Sequence, residues 1–170
     1  RIDEVPVDVA QVVAEAVILV ELQAAEGGVA IEQIALADLP ALLADRTMIK
    51  QIVLNLLTNA VKFTPRGGCV TASVTLQADR GLAITVADTG IGIDSSAIVH
   101  MTEPFWRSDD ATRRDYPGVG LGLALVDSFV RRHGGRLEIT SAVGAGTVAS
   151  VYFDRTRTLS ECNTASGENV

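Results

Sequence analysis

The spacing of apolar residues predicts helices and strands that follow one another along most of the chain. Apolar and small residues recur at helical intervals over residues 7–25, where Gly27-Gly28 ends the pattern. A second, longer helix is predicted to begin at Asp45, a good N-cap residue, and to run to about Phe63. Two shorter helices are predicted over residues 94–100 and 121–132.

Five apolar segments with strand character separate these helices, and the turn at residues 78–81 joins two of them as a hairpin. Such a layout favours a two-layer α+β domain, an α/β sandwich with helices on one face of a mixed, mostly antiparallel sheet. The domain is predicted to span residues 1–155, and the polar residues 156–170 to form a disordered tail. The predicted strands are residues 29–36, 70–77, 82–87, 136–141 and 147–153.

Charge and composition narrow the classes of partner. The net charge of −7 argues against a nucleic-acid surface, which would need a basic stripe. No apolar run reaches the roughly 18 residues that a membrane helix needs, so we expect membrane attachment only through segments outside these residues. Cys69 and Cys162 lack metal-site spacing and indicate free thiols in a reducing compartment, the cytoplasm. The chain begins at Arg1 rather than Met, which indicates a piece of a longer protein.

The first motif with candidate chemistry is Asn55-Leu-Leu-Thr-Asn59-Ala-Val-Lys62, inside the second predicted helix. Asn55 and Asn59 are four residues apart, so their side chains share one helix face, with Lys62 about one turn further along. Neutral amide oxygens can complete the octahedral shell of Mg²⁺, and a lysine can meet phosphate as a point charge. The alternative is that two asparagines simply lie on an exposed face.

The second motif, Asp88-Thr-Gly90-Ile-Gly92, follows an apolar strand. A carboxylate at that place needs a hydrogen-bond donor, and the amino group of adenine is one. Gly90 and Gly92 would let a flat base approach the backbone. The alternative is an Asx turn, in which the Asp88 side chain caps the next element.

The third motif, Gly118-Val-Gly120-Leu-Gly122-Leu, runs into a predicted helix N-terminus, where amide groups and the helix dipole favour phosphate. It lacks the G-x-G-x-x-G spacing of dinucleotide-binding folds, and the sequence contains no P-loop. His133 is predicted to complete the C-terminus of this helix, and His100 is not expected to take part in chemistry. No Ser-His-Asp set or metal-ligand cluster can be assembled from these histidines.

Taken together, the motifs resemble those of the catalytic ATP-binding domain of bacterial sensor histidine kinases. That domain belongs to a superfamily with gyrase, a class of heat-shock chaperones and the mismatch-repair ATPases, which share the Bergerat ATP-binding fold. The resemblance covers residues 5–154 and includes Glu103-Pro-Phe105-Trp-Arg107, similar to the phenylalanine box, and Gly144-Ala-Gly146-Thr147, similar to the last glycine motif.

The resemblance implies a Mg²⁺-ATP site and a role for each matched residue. The asparagines would hold the metal, Lys62 and Arg107 would contact phosphate, and residues 102–119 would form a lid over the nucleotide. Asp88 would accept a hydrogen bond from adenine, with Phe63 and Thr147 beside the base. The implied ATP and phosphate ligands are Asn55, Asn59, Lys62, Phe63, Asp88, Gly90, Gly92, Ile93, Phe105, Arg107, Gly118, Gly120, Leu121, Gly122, Leu123 and Thr147.

One position distinguishes branches of that superfamily. Relatives that hydrolyse ATP carry a glutamate, as general base, where this chain has Asn55, and an amide cannot take a proton. This difference favours phosphoryl transfer to a protein group, which depends on positioning and charge neutralisation. His100 and His133 do not match the phosphoacceptor motif, so that histidine and its dimerisation helices are expected before Arg1. The domain alone is then inactive in autophosphorylation, and no catalytic residue is assigned within it.

Three functions remain open from the sequence. The first is the catalytic domain of an ATP-dependent protein-histidine kinase in a two-component system, with a response regulator as partner. The second is an ATP-binding or degenerate scaffold module of a pseudokinase, a reading prompted by a faint similarity to cell-cycle kinases of alphaproteobacteria. The third is an anti-sigma-factor serine kinase.

Overall fold

The structure is a computed structural model, and it describes residues 2–36, 38–104 and 121–159. Two long helices open the fold. Helix α1 spans Val9–Gly27, with Asp8 as its N-cap and Gly28 as its C-cap. Gly28 has a φ of 66°, which a glycine adopts with little strain. Helix α2 spans Arg46–Phe63. Its N-cap is Asp45, as predicted, and the Asp45 carboxylate accepts hydrogen bonds from the backbone of Thr47 and Met48 at 3.0 and 3.1 Å.

Two further helices lie later in the described chain. Helix α3 is one turn, Ser95–Ile98, and helix α4 spans Gly122–Arg132. At the end of α4 the fully buried His133 joins two helices, because its Nδ1 donates to the Phe129 carbonyl at 2.7 Å and its Nε2 accepts from the Asp45 backbone N–H at 3.1 Å. The predicted helix-ending role of His133 is confirmed, and the contact with α2 adds to it.

The main sheet has five strands in the order β2-β4-β5-β7-β6. Strands β2 and β4 are parallel, and the other three pairings are antiparallel. This arrangement confirms the predicted mixed, mostly antiparallel sheet, with each predicted strand within two residues of its observed limits. The strands are β2 Ala30–Ala35, β4 Cys69–Leu76, β5 Leu82–Asp88, β6 Arg136–Ala142 and β7 Gly146–Phe153.

Helices α1, α2 and α4 pack on one face of this sheet and enclose a single apolar core. Alternate residues of β4 point into this core, and the side chains of Val70, Ala72 and Val74 are each at most 1% exposed. On α2 the apolar face holds Ile52, Val53, Leu56 and Leu57, which leaves Asn55 and Asn59 half-buried at the edge of the core. Burial of that face fixes the rotation of α2, and with it the direction of the two asparagines.

A second, three-stranded sheet corrects the predicted layout. Strand β1, Val5–Val7, pairs with β3, Ala41–Ala44, which also pairs with β8, Thr158–Leu159. The first helix therefore starts after Val7, and the tail predicted for residues 156–170 was wrong for residues 156–159, which form part of a 3₁₀ turn and β8. Strands of two to four residues are too short to show an alternation of apolar and polar residues. Strand β3 also pairs with a strand that is more than 100 residues away in the sequence. Residues 160–170 lie outside the described residues.

Candidate functional site

The asparagine motif on α2 faces the beginning of α4. Asn55 Nδ2 donates to the Gln51 carbonyl one turn earlier, at 2.9 Å, which turns Oδ1 away from its own helix. A β-carbon placed on Gly122 would lie 3.2 Å from that Oδ1 and 3.7 Å from Asn59 Nδ2. Gly122, the first residue of α4, therefore lies beside both amides, and the structure brings the first and third sequence motifs together.

Asp88 ends β5 directly opposite Thr147 of β7. Its Oδ1 accepts hydrogen bonds from the backbone N–H groups of Gly90, at 2.8 Å, and Thr147, at 3.2 Å. The Gly90 contact is the Asx turn considered as an alternative from the sequence. The Thr147 contact crosses to the next strand, so that two separate parts of the fold fix the orientation of the carboxylate.

The glycines after Asp88 are required by contacts within the chain itself. A β-carbon on Gly90 would lie 2.5 Å from the Phe63 carbonyl oxygen, which also accepts the Ile91 N–H at 3.1 Å. A β-carbon on Gly92, where φ is +72°, would lie 1.9 Å from the Ala142 carbonyl oxygen. The loop is thus held against the end of α2 and the end of β6. The sequence argument had assigned this close approach to a flat base.

Together these segments line one recess between α2, α4 and the sheet. Its walls are mainly apolar, with the polar side chains of Asn59, Asp88 and Thr147 among them. A mainly apolar recess with a few fixed polar groups is typical of a site for a small molecule. The lining residues are Leu56, Asn59, Ala60, Phe63, Val86, Asp88, Ile93, Met101, Leu123, Ile139, Thr147 and Ala149.

Some lining residues were missed from the sequence, although a signal for them existed. Ile139 and Ala149 are opposite each other on β6 and β7, one inward position away from Thr147, so strand alternation would have found them. Leu56 and Ala60 follow from the i, i+4 repeat of α2. Leu121, predicted as a ligand, does not line the recess and is 41% exposed just before α4.

Lys62 lies half-buried near the end of α2, with Nζ 4.9 Å from the centre of the Phe63 ring. This cation–π contact holds the ammonium group beside the recess that Phe63 lines. Phe105, Arg107, Gly118 and Gly120, together with most of the predicted lid, lie outside the described residues.

The donor set fits Mg²⁺, because Asn55 Oδ1 is turned outward by the bond of its own amide nitrogen, and the Asn59 amide lies one turn along the same face. Among the described residues, no three His, Cys, Asp or Glu side chains gather as a metal site. None of the helices in the described part of the chain is both long and apolar enough to cross a membrane.

Comparison with known proteins agrees with this geometry. The family described as histidine kinase-, DNA gyrase B- and HSP90-like ATPase matches residues 44–157. A sensor-like histidine kinase of Rhizobium meliloti is 39% identical over 146 residues, which are 86% of this chain and 28% of that protein. The histidine protein kinase DivJ of Caulobacter vibrioides is 50% identical over 109 residues, which are 64% of this chain and 18% of that protein.

Among solved structures, full-length ShkA in complex with AMPPNP superimposes with a TM-score of 0.82 and 29% identity, over 94% of this chain and 32% of that one. The chain spans less than a third of the length of these relatives. The matched residues contain α2, the asparagine motif, Asp88 and Thr147, all of which the structure places around one recess. The chain therefore belongs to the histidine kinase-, DNA gyrase B- and HSP90-like ATPase family, as an ATP-binding catalytic domain of the histidine-kinase type.

Proposed function

We propose that this domain binds Mg²⁺-ATP in the recess between α2, α4 and the sheet, and presents the γ-phosphate to a histidine on a separate dimerisation domain. The observation that carries the proposal is the meeting of three motifs at one place. Asn55 and Asn59 lie beside Gly122 at the start of α4, while Asn59 also shares the recess with Asp88.

The two ends of the recess suit the two ends of the nucleotide. Asp88, held by two backbone N–H groups, would accept from the adenine amino group, and the ring would lie against apolar walls that include Phe63 and Ile93. Gly90 would hold the Asp88 loop against the end of α2, next to Phe63, and Gly92 would hold it against the end of β6.

The phosphates would lie near the start of α4. The N-cap of that helix is Leu121, whose side chain has no oxygen, whereas Asp8, Asp45 and Asp94 cap α1, α2 and α3. The first N–H groups of α4 are therefore suited to phosphate oxygens, with Lys62 and Arg107 as cations. Mg²⁺, when bound by the asparagine oxygens, would neutralise phosphate charge. Gly118, Gly120, Gly122, Leu123 and Phe105 would complete this side of the site.

Transfer to a protein group fits the chemistry of Asn55 better than hydrolysis does. An amide stands where a hydrolytic relative has its general base, and its nitrogen is already bonded to the Gln51 carbonyl. The remaining task of the domain is to hold the phosphoryl donor in place and balance its charge. The acceptor histidine, its helices and a response regulator complete the proposed two-component pathway, located in the cytoplasm.

The test joins this chain to a histidine-bearing dimerisation domain of a two-component kinase, with γ-³²P-ATP and Mg²⁺ as substrates. Label should appear on the acceptor histidine, at a rate that Asn59→Ala lowers at least about a hundredfold, since both metal and phosphates lose a ligand. Replacement of the acceptor histidine by alanine is the control for the site of labelling, and this variant should take up no label. Tight ATP binding in a folded chimera, with no label on the histidine, would contradict phosphoryl transfer and favour the scaffold reading.

A further inference from the structure

A cluster of hydroxyl and backbone groups lies behind the recess, at the turn end of the β6–β7 hairpin. Ser141 and Thr147 are opposite each other in register, so their side chains share the face of the sheet that the helices cover. The Ser141 Oγ lies 2.8 Å from the Thr147 Oγ1, 2.7 Å from the Gly146 carbonyl oxygen and 2.9 Å from the Ile93 nitrogen. Ser141 does not itself line the recess, whereas Thr147 and Ile93 do.

These three contacts determine the direction of both hydroxyl protons. A serine hydroxyl has one proton and two lone pairs. The Gly146 carbonyl can only accept, so it takes the Ser141 proton, and the Ile93 N–H can only donate, so it uses one lone pair. The remaining lone pair of Ser141 can be satisfied only by the proton of Thr147. The Thr147 Oγ1–H therefore points at Ser141, and its lone pairs face its other neighbours.

We infer that Ser141 is a positioning residue for base selectivity, because it makes the Thr147 hydroxyl an acceptor. Thr147 of β7 is also opposite Asp88 of β5. Two hydrogen-bond acceptors therefore lie next to each other on the wall of the recess that would contact the base. Such a pair suits a donor such as the adenine amino group, directly or through one water. A base with a carbonyl at the same place would meet two acceptors. This inference rests on the proposed nucleotide site.

The experiment compares dissociation constants for ATP and inosine triphosphate, whose base carries a carbonyl where adenine has its amino group. Wild type should prefer ATP. Ser141→Ala releases the Thr147 hydroxyl, which can then turn and donate to that carbonyl, so the ratio of the two constants should fall about three- to tenfold. Ser141→Cys, whose thiol is a weak acceptor of similar size, should lower the ratio in the same direction.

A second hydroxyl pair in the same sheet gives a matched control. Thr85 and Ser150 are also opposite each other, with oxygens 2.9 Å apart, but Ser150 neighbours the inward Ala149 and faces the other side of the sheet. Ser150→Ala should leave the ratio unchanged. In a Thr147→Val background, Ser141→Ala should change the ratio no further, because the hydroxyl that it orients is gone.

The outcomes separate this inference from the function on which it depends. An equal loss of affinity for both nucleotides in Ser141→Ala, or an unchanged ratio in Ser141→Cys, would overturn the inference and leave the nucleotide site standing. Failure of folded wild-type protein to bind either nucleotide would overturn the proposed function itself. A fall in the ratio that persists in the Thr147→Val background would show that Ser141 acts by another route, and would also overturn the inference.

Discussion

Gly144, in the turn before β7, and Gly146, the first residue of β7, offer a matched pair of substitutions. Both have φ near +80°, at +78° and +82°. Around Gly144 a β-carbon would meet nothing within 4 Å, whereas at Gly146 it would lie 2.0 Å from the Asp88 carbonyl oxygen. Alanine at either position carries the same backbone penalty, and the difference between the two variants isolates the contact with Asp88.

The structure gives a magnitude for each variant. A left-handed backbone costs an L-residue about 1–2 kcal/mol, which is the whole effect expected of Gly144→Ala. Gly146→Ala adds a steric term, since contact at 2.0 Å must open by about 1 Å, and such overpacking costs roughly 1–3 kcal/mol more. In a domain of this size each kcal/mol lowers the melting temperature by about 2–4 °C.

Urea unfolding followed by circular dichroism measures both free energies of unfolding, and calorimetry measures ATP affinity in the same samples. Gly146→Ala should be the less stable variant by about 1–3 kcal/mol. It should also bind ATP about tenfold more weakly, because β7 must move away from Asp88. Gly144→Ala should bind ATP as wild type does. Equal stability and equal ATP affinity in the two variants would refute the close approach of Gly146 to Asp88.

Three further predictions concern the helices. His133→Ala should lower the free energy of unfolding by about 2–4 kcal/mol in urea titrations, because it empties a buried site and leaves the Asp45 N–H without its acceptor; a loss under about 0.5 kcal/mol would contradict the contact. The backbone N–H of Met48, and then those of Asp3 and Thr47, lower the pKa of the Asp45 carboxyl by hydrogen bonding to its ionised form. Its contribution to stability is therefore complete above about pH 5, where the carboxyl is ionised in the folded and the unfolded chain, and is lost as pH falls through the lowered pKa. Asp45→Asn, which still caps α2, should lose less stability than wild type between pH 5 and about pH 2.5, and identical acid profiles would contradict this. Asn59→Ala should remove Mg²⁺-dependent ATP binding while changing the free energy of unfolding by less than about 1 kcal/mol, and unchanged affinity would defeat the metal assignment.

The main sheet and the long helices could be predicted because their signals are local. Asp45 identifies the start of α2 by its capping chemistry, and the apolar face of that helix fixes which way Asn55 and Asn59 point. Asp88 could be placed because a carboxylate directly after an apolar strand needs donors, and the structure supplies two of them from the backbone.

The parts that could not be predicted depend on pairings between distant residues. Strand β3 joins β1 to β8, which lie at opposite ends of the described chain, and none of the three is long enough for a periodic pattern. The role of Ser141 requires the exact register of β6 against β7, since a shift of one residue would turn it to the other face. The need for glycine at positions 90 and 92 depends likewise on the carbonyl groups of Phe63 and Ala142, which are distant in sequence.

The most direct test of the nucleotide site is a calorimetric titration of the wild-type domain with a non-hydrolysable ATP analogue, with Mg²⁺ and with EDTA. Saturable one-to-one binding is expected in Mg²⁺, weakened strongly by EDTA and abolished by Asn59→Ala. A folded domain that gives no heat of binding in Mg²⁺, or that binds the analogue equally well in EDTA and after Asn59→Ala, would contradict the account.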